Sequence, residues 1–95
     1  MILEPEVESE LTRRLRRIEG QVRGIQQMLD EGRECRDIVA QVSAASKALD
    51  QVGFRLLVTG MAHCLQDAEA AAANGFSLDE VERLFLKLTG HKLRD

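Results

Sequence analysis

The two cysteines of the chain, Cys35 and Cys64, are the residues whose type and spacing point most directly to chemistry. They lie 29 positions apart in a stretch predicted to be one helix. At about 100° per residue they share a face of that helix, yet at ~1.5 Å of rise per residue they are roughly 43 Å apart and cannot meet within one chain. If two copies of the helix pack antiparallel, with the symmetry axis near Leu49 and Asp50, Cys35 of each copy lies beside Cys64 of the other. Two dithiol sites per dimer would follow.

An inert role in the core is the alternative for both cysteines. A free Cys behaves as a small apolar residue, and both fall on a stripe of helical period. Spacing alone does not separate the two interpretations. We expect a cytoplasmic protein, because no basic and apolar leader precedes the first helix and no apolar run is long enough to span a membrane. Thiols are kept reduced there, which favours a reactive, regulatory or metal-binding pair over a structural disulfide.

The elements that must position these thiols are helices. The chain of 95 residues has no Trp or Tyr, and its composition predicts one all-α domain, residues 1–95, with helices over 6–31, 34–73 and 77–90. Apolar residues alternate at three and four positions along the first two helices, as in a heptad seam. The seam comprises Leu11, Leu15, Ile18, Val22, Ile25 and Leu29, then Ile38, Val42, Ala45, Leu49, Val52, Leu56 and Thr59. So small a chain cannot cover so long a helix, which predicts a bundle of more than one subunit.

Charge patterning is the second functional signal. The net charge is −3, but a basic cluster lies within the first helix. Its members are Arg13, Arg14, Arg16, Arg17 and Arg23. Such a patch can bind phosphates locally because charges are screened beyond about 8 Å at physiological salt, so an acidic protein can still bind DNA. The alternative is a solvated helix face with ion pairs such as Glu10–Arg14, although four arginines in five positions exceed what pairing needs.

Two glycines in the first helix suggest a close neighbour. Gly20 and Gly24 interrupt an otherwise favourable helical sequence, and each costs about 1 kcal/mol relative to Ala. We expect another backbone to approach them closely, either that of a second helix or that of a nucleic acid. The sequence has no helix-turn-helix signature that would say how DNA is read.

Two segments resemble the copper-sensitive operon repressor family, which also includes nickel/cobalt and formaldehyde sensors. Residues 12–25 read TRRLRRIEGQVRGI, and residues 35–42 read CRDIVAQV. The resemblance covers almost the whole chain. It implies a three-helix protomer, an antiparallel four-helix-bundle dimer, a dimer-of-dimers tetramer, and operator DNA as partner. It also implies DNA contacts from Arg13, Arg14, Arg16 and Arg17, with Lys47 in place of a basic residue that family members often carry early in the second helix.

The same resemblance bears on the inducer. Copper sensors of the family place a Cys, a His 25 positions later and a Cys four further on, a set that suits soft Cu(I). The corresponding residues here are Cys35, Gly60 and Cys64, so the imidazole is missing. His63 is adjacent, but it projects about 100° away from Cys64 and is no obvious replacement. Glu34 stands where copper sensors tend to have Tyr, and its negative charge beside Cys35 disfavours Cu(I).

What remains is a cross-subunit pair of thiols with no third ligand. This arrangement is similar to that of the persulfide-sensing branch of the family, the CsoR-like sulfurtransferase repressors. We therefore predict a repressor, not an enzyme, that senses persulfide or polysulfide through Cys35 and Cys64, without a cofactor or bound metal, and that derepresses sulfide-detoxification genes. Cys35 is the expected attacking thiolate because a helix N-terminus stabilises negative charge. The first alternative is a Cu(I)-sensing repressor that uses the same cysteines. A thiol oxidoreductase or metal carrier remains as another class, but it leaves the arginine cluster without a role. A helical scaffold would explain the heptads but not the coincidence of cysteine phase and family motif.

Overall fold

The protein is all-α, as the sequence predicts. The computed structural model describes residues 3–73, 75 and 77–93, with side chains described to residue 90. Its helices are α1 (Pro5–Asp30), α2 (Cys35–Gln66), α3 (Ala68–Ala73) and α4 (Leu78–Leu93). There is no strand in these ranges. No helix of the described part of the chain is long and apolar enough to cross a membrane.

The ends of α1 follow from local sequence. Pro5 occupies the first turn, where its missing N–H costs nothing, and Glu6 and Glu8 place negative charge near the positive end of the helix dipole. The helix stops at Gly32, whose φ of 66° is the left-handed conformation that glycine adopts readily. The N–H of Arg33 then donates to the carbonyl of Met28 at 3.0 Å, which satisfies one of the last carbonyls of α1.

The predicted second helix, residues 34–73, is interrupted at Asp67. Helix α2 ends at Gln66, and α3 begins at Ala68. The carboxylate Oδ1 of Asp67 accepts a hydrogen bond from the N–H of Ala70 at 3.0 Å, which is the contact of a helix N-cap. The described residues therefore form four helical segments instead of three, because Asp67, just before an alanine-rich run, caps a new helix.

Helix α4 starts at a cap formed by Ser77. The Ser77 hydroxyl oxygen accepts a hydrogen bond from the N–H of Glu80 at 3.3 Å, as expected of the first half of a capping box. The helix runs to Leu93, three residues beyond the predicted end.

The chain divides into two compact units, one of residues 4–52 and one that begins at Gly53. In the unit of residues 4–52, the buried apolar residues alternate along the predicted seam. They are Leu11, Ile18, Ala45 and Val52. Other seam residues of the same unit remain exposed in the protomer, with Leu29 61% and Leu49 52% accessible. Half of the predicted apolar seam is thus left for contact outside the protomer.

The unit that begins at Gly53 has its own core. Leu57, Cys64, Ala71 and Val81 form one buried cluster, with Phe54, Leu84 and Leu88 packed against it. The rings of Phe54 and Phe85 lie 6.0 Å apart between centroids in a tilted arrangement. A Cβ on Gly53 would come within 3.0 Å of both methyl carbons of Leu88, so the glycine allows that side chain to approach α2 closely.

Candidate functional site

Cys35 is the first residue of α2 and is exposed. The carbonyl of Glu34 accepts hydrogen bonds from the N–H groups of Asp37 at 3.0 Å and Ile38 at 3.1 Å, so the first turn of α2 forms directly at the thiol. N–H groups of a first turn carry partial positive charge. Arg33, two residues before Cys35, makes an ion pair with Glu31 at 3.6 Å, which offsets part of its positive charge.

Cys64, unlike Cys35, is buried. It is 5% exposed and belongs to the apolar cluster of the unit that begins at Gly53. No disulfide joins the two cysteines. In one protomer, then, Cys64 has the packing of a core residue and Cys35 does not. In a single protomer, the interpretation as an inert core residue therefore fits Cys64, while Cys35 is open to solvent.

The residues around Cys64 bear on a third ligand. Gly60 is buried one helical turn before Cys64 and has no side chain to donate. His63 is half-buried, and its Nε2 is shielded from solvent without a hydrogen-bond partner among the described residues. Within the described part of a single protomer, no three His, Cys, Asp or Glu side chains lie together in a group that could hold a metal ion.

The arginine cluster is partly assembled on one face of α1. Arg13, Arg14 and Arg17 line, together with Glu10, an open cavity of about 410 Å³. Their spacing of three and four residues places them on successive turns of that face. Arg16 is exposed on the same helix but does not line the cavity. Three guanidinium groups and one carboxylate around an open cavity leave an excess of positive charge that suits an oxyanion such as a phosphate.

Arg14 is held from two sides. Its Nε donates to Glu10 Oε2 at 3.2 Å, the ion pair expected from the sequence. Its Nη1 donates to Gln51 Oε1 of α2 at 3.4 Å. The sequence gives no signal for the second contact, since the two residues are 37 positions apart in the chain. Gln51 is therefore a site residue that sequence reasoning misses.

Lys47, predicted as a further DNA contact, is exposed on α2. Among the described residues, no hydrogen bond or ion pair connects it to the arginines of α1. Its role at the nucleic-acid surface remains a prediction, as do those of Arg13, Arg14, Arg16 and Arg17.

Comparison with known proteins gives the family. The model of a family described as metal-sensitive transcriptional repressor matches residues 8–87, which is most of the chain. The chain belongs to this family of metal-sensitive transcriptional repressors. It is thus a transcriptional repressor, and the similar proteins are repressors, not enzymes.

Two relatives illustrate the similarity in sequence. The copper-sensing transcriptional repressor CsoR of Bacillus subtilis is 41% identical over 80 residues, covering 84% of this chain and 79% of the relative. The copper-sensing transcriptional repressor RicR of Mycobacterium tuberculosis is 44% identical over 63 residues, 66% of each chain. Both names describe copper sensors.

Two solved structures extend the similarity to the fold of this family member. The copper-sensing repressor CsoR with Cu(I) from Geobacillus thermodenitrificans superposes with a TM-score of 0.78 at 37% identity, covering 94% of this chain and 93% of the other. The nickel-responsive transcriptional regulator InrS gives a TM-score of 0.73 at 32% identity, over 93% and 99% of the two chains. The predicted family is confirmed, while the relatives are named for metals and none of them for persulfide.

Proposed function

We propose that this repressor binds operator DNA through the arginines of α1 and releases it when an inducer joins Cys35 of one protomer to Cys64 of another. The observation that supports DNA binding is the cavity lined by Arg13, Arg14 and Arg17 in an otherwise acidic protein. Phosphate contacts from such a patch give affinity and depend strongly on salt.

The exposed half of the heptad seam supports the dimer. Leu15, Val22 and Leu29 on α1 follow one another at intervals of seven residues and are 41–61% exposed in the protomer. Val42 and Leu49 on α2 repeat the pattern at 49% and 52% exposure. Apolar residues at heptad spacing favour packing against a second long helix. An antiparallel four-helix-bundle dimer with its axis near Leu49, assembled into a tetramer, would cover them.

Cu(I) is the inducer that the relatives favour. Thiolates are soft ligands that select Cu(I), so Cys35 and Cys64 have the right donor chemistry. The number of donors is smaller than in the copper sensors, because Gly60 offers no side chain where the family pattern has His. His63 has a buried Nε2 that lacks a hydrogen-bond partner among the described residues, yet it lies on a different side of α2 from Cys64. The residues thus fit Cu(I) in kind but fall short in number.

Persulfide sensing is the second candidate. It is favoured by the glycine at position 60, which offers no third ligand. Two thiols without a third ligand suffice for this chemistry. The Cys35 thiolate attacks the outer sulfur of an organic persulfide and forms a cysteine persulfide, with an organic thiolate as leaving group. The Cys64 thiolate of the neighbouring protomer then attacks the inner sulfur, and a disulfide forms as hydrosulfide leaves. The persulfide is the oxidant, so the step is balanced.

Either inducer would act by favouring the arrangement of the oligomer that does not bind DNA. A link between two antiparallel helices can do so if it is less strained in that arrangement, because a ligand shifts an equilibrium only through its differential affinity for the two states. The controlled genes follow from the inducer: copper handling in the first case and sulfide detoxification in the second.

Fluorescence anisotropy of the fully reduced protein with DNA from its own promoter tests the proposal. Stoichiometric Cu(I) and, separately, an organic persulfide are then added to the complex. Release by Cu(I) with little response to persulfide is the expected result. Release by persulfide with little response to Cu(I) would establish the second candidate instead. Absence of binding by the reduced protein would contradict DNA binding itself.

A further inference from the structure

The contact between Arg14 and Gln51 joins the arginine cavity to α2. Both residues belong to the unit of residues 4–52, so the contact is internal to that unit. The Arg14 side chain is 45% exposed, and a long exposed side chain loses rotamer entropy when it is fixed. A side chain already held in place loses less when a ligand binds. A second contact on Arg14 therefore lowers the entropic cost of binding a ligand to this guanidinium.

The two partners of Arg14 differ in what they do to an incoming anion. Glu10 takes the Nε–H and brings a negative charge, which repels a phosphate. Gln51 takes an Nη1 hydrogen and is neutral. An arginine has five N–H donors, so the Nη2 hydrogens remain for a phosphate oxygen. Gln51 can thus fix the guanidinium without competing electrostatically for the anion.

We propose that Gln51 is a positioning residue for operator binding, which restrains from α2 the guanidinium of Arg14, one of the three arginines that line the cavity. The ligand chemistry is that of the DNA phosphate backbone, and the inference rests on the proposed operator binding. Removing the Gln51 acceptor leaves the Glu10 carboxylate as the remaining partner of Arg14 among the described residues, so the guanidinium is less restrained and samples more orientations. Operator affinity then falls although no DNA-contacting group has been removed.

A double-mutant cycle tests this role. The variants are Gln51→Leu, Arg14→Gln and the double variant, with Gln41→Leu as control because Gln41 is also an exposed glutamine of α2. Operator affinity of the reduced proteins is measured by fluorescence anisotropy. Gln51→Leu is expected to weaken binding about three- to tenfold when Arg14 is present and less than about twofold in the Arg14→Gln background. Gln41→Leu should bind like the wild-type protein.

A readout on the free protein accompanies the cycle. The Nε–H resonance of Arg14 in a ¹⁵N NMR spectrum should shift in Gln51→Leu and stay in place in Gln41→Leu, because only the former removes a partner of that guanidinium. An unshifted resonance, or the same loss of affinity in both backgrounds, would overturn the positioning role while the operator-binding proposal survives. A wild-type protein that does not bind its promoter DNA would overturn both.

Discussion

Cys64 and Val81 lie in one buried cluster, at 5% and 4% exposure, although they belong to α2 and α4. One of the two cysteines proposed to be joined by the inducer is therefore also a packing residue of the unit that begins at Gly53. Cys35, its proposed partner in the neighbouring protomer, is exposed at the first residue of α2. The two thiols thus combine an accessible position with a structurally sensitive one, which is an arrangement suited to a switch.

Substitution of the two cysteines should separate their structural roles. Cys64→Ser places a hydroxyl in an apolar cluster and should lower the free energy of unfolding by about 1–3 kcal/mol. Cys64→Ala, which leaves only a small cavity, should cost about 1 kcal/mol. Cys35→Ser should change it by less than about 0.5 kcal/mol, because the residue is exposed. Urea denaturation at one fixed protomer concentration measures all three, and equal values for Cys35→Ser and Cys64→Ser would contradict the assigned environments.

Restoring the missing donor should strengthen copper binding. Gly60→His places an imidazole one turn before Cys64, where the copper sensors of the family have theirs, and should raise Cu(I) affinity at least about tenfold. Competition with a Cu(I) chelator measures the change. Gly60→Ala is the matched control, because it changes the backbone preference and the packing at this buried position without adding a ligand. An affinity of Gly60→His no greater than that of Gly60→Ala would show that position 60 does not face the thiols.

Salt dependence should identify the phosphate contacts. Arg17→Gln removes one guanidinium from the cavity on α1, so it should weaken operator binding and lower the slope of log affinity against log salt by about 1. Arg83→Gln is the control, because Arg83 lies on α4 and pairs with Glu80 at 3.3 Å. A slope that drops equally in both variants would indicate a diffuse charge effect, and an unchanged slope in Arg17→Gln would place the phosphates elsewhere.

Substitution of Gly20 should show whether a second protomer or a nucleic acid packs against α1. In the protomer, a Cβ at Gly20 would meet nothing within 4 Å, so Gly20→Ala should stabilise α1 by up to about 1 kcal/mol through helix propensity. Thermal unfolding of the DNA-free protein measures the gain. A loss of stability that deepens at low protein concentration would mean that a second protomer packs against this position. Reduced operator affinity with the stability gain intact would indicate that the neighbour is nucleic acid.

The sequence predicts those features that depend on local spacing. The heptad alternation gives the long helices, and the left-handed Gly32 and the Ser77 cap occur where turn and capping rules put them. The break at Asp67 is missed, because the helix propensity of an alanine-rich segment conceals one capping carboxylate. A cap of this kind is recognisable in principle, since aspartate is among the preferred N-cap residues.

The candidate site also has features that the sequence predicts and features that it does not. The arginines of α1 are evident as a cluster in sequence, and the structure brings Arg13, Arg14 and Arg17 to one cavity. The Gln51 contact is not evident, because it joins residues that are distant in the chain and depends on how α1 and α2 pack within the unit of residues 4–52. The opposite exposures of Cys35 and Cys64 also require the packed structure, since helical phase alone gives them the same face.

The meeting of Cys35 with Cys64 of another protomer is the central claim, and disulfide cross-linking tests it most directly. Four samples are treated with a thiol oxidant. They are the wild-type protein, Cys35→Ser, Cys64→Ser, and a mixture of the two variants that has been unfolded and refolded together. Products are compared on a non-reducing gel. A mixed antiparallel dimer retains one complete pair, because one chain supplies Cys35 and the other supplies Cys64.

We predict a covalent dimer, at twice the chain mass of 10.6 kDa, for the wild-type protein and for the refolded mixture, with neither single variant forming it alone. Cross-linking of Cys35→Ser or Cys64→Ser by itself, to the extent seen in the wild type, would mean that identical cysteines collide at random. A wild-type protein and a mixture that both stay monomeric on the gel would contradict the cross-subunit thiol pair.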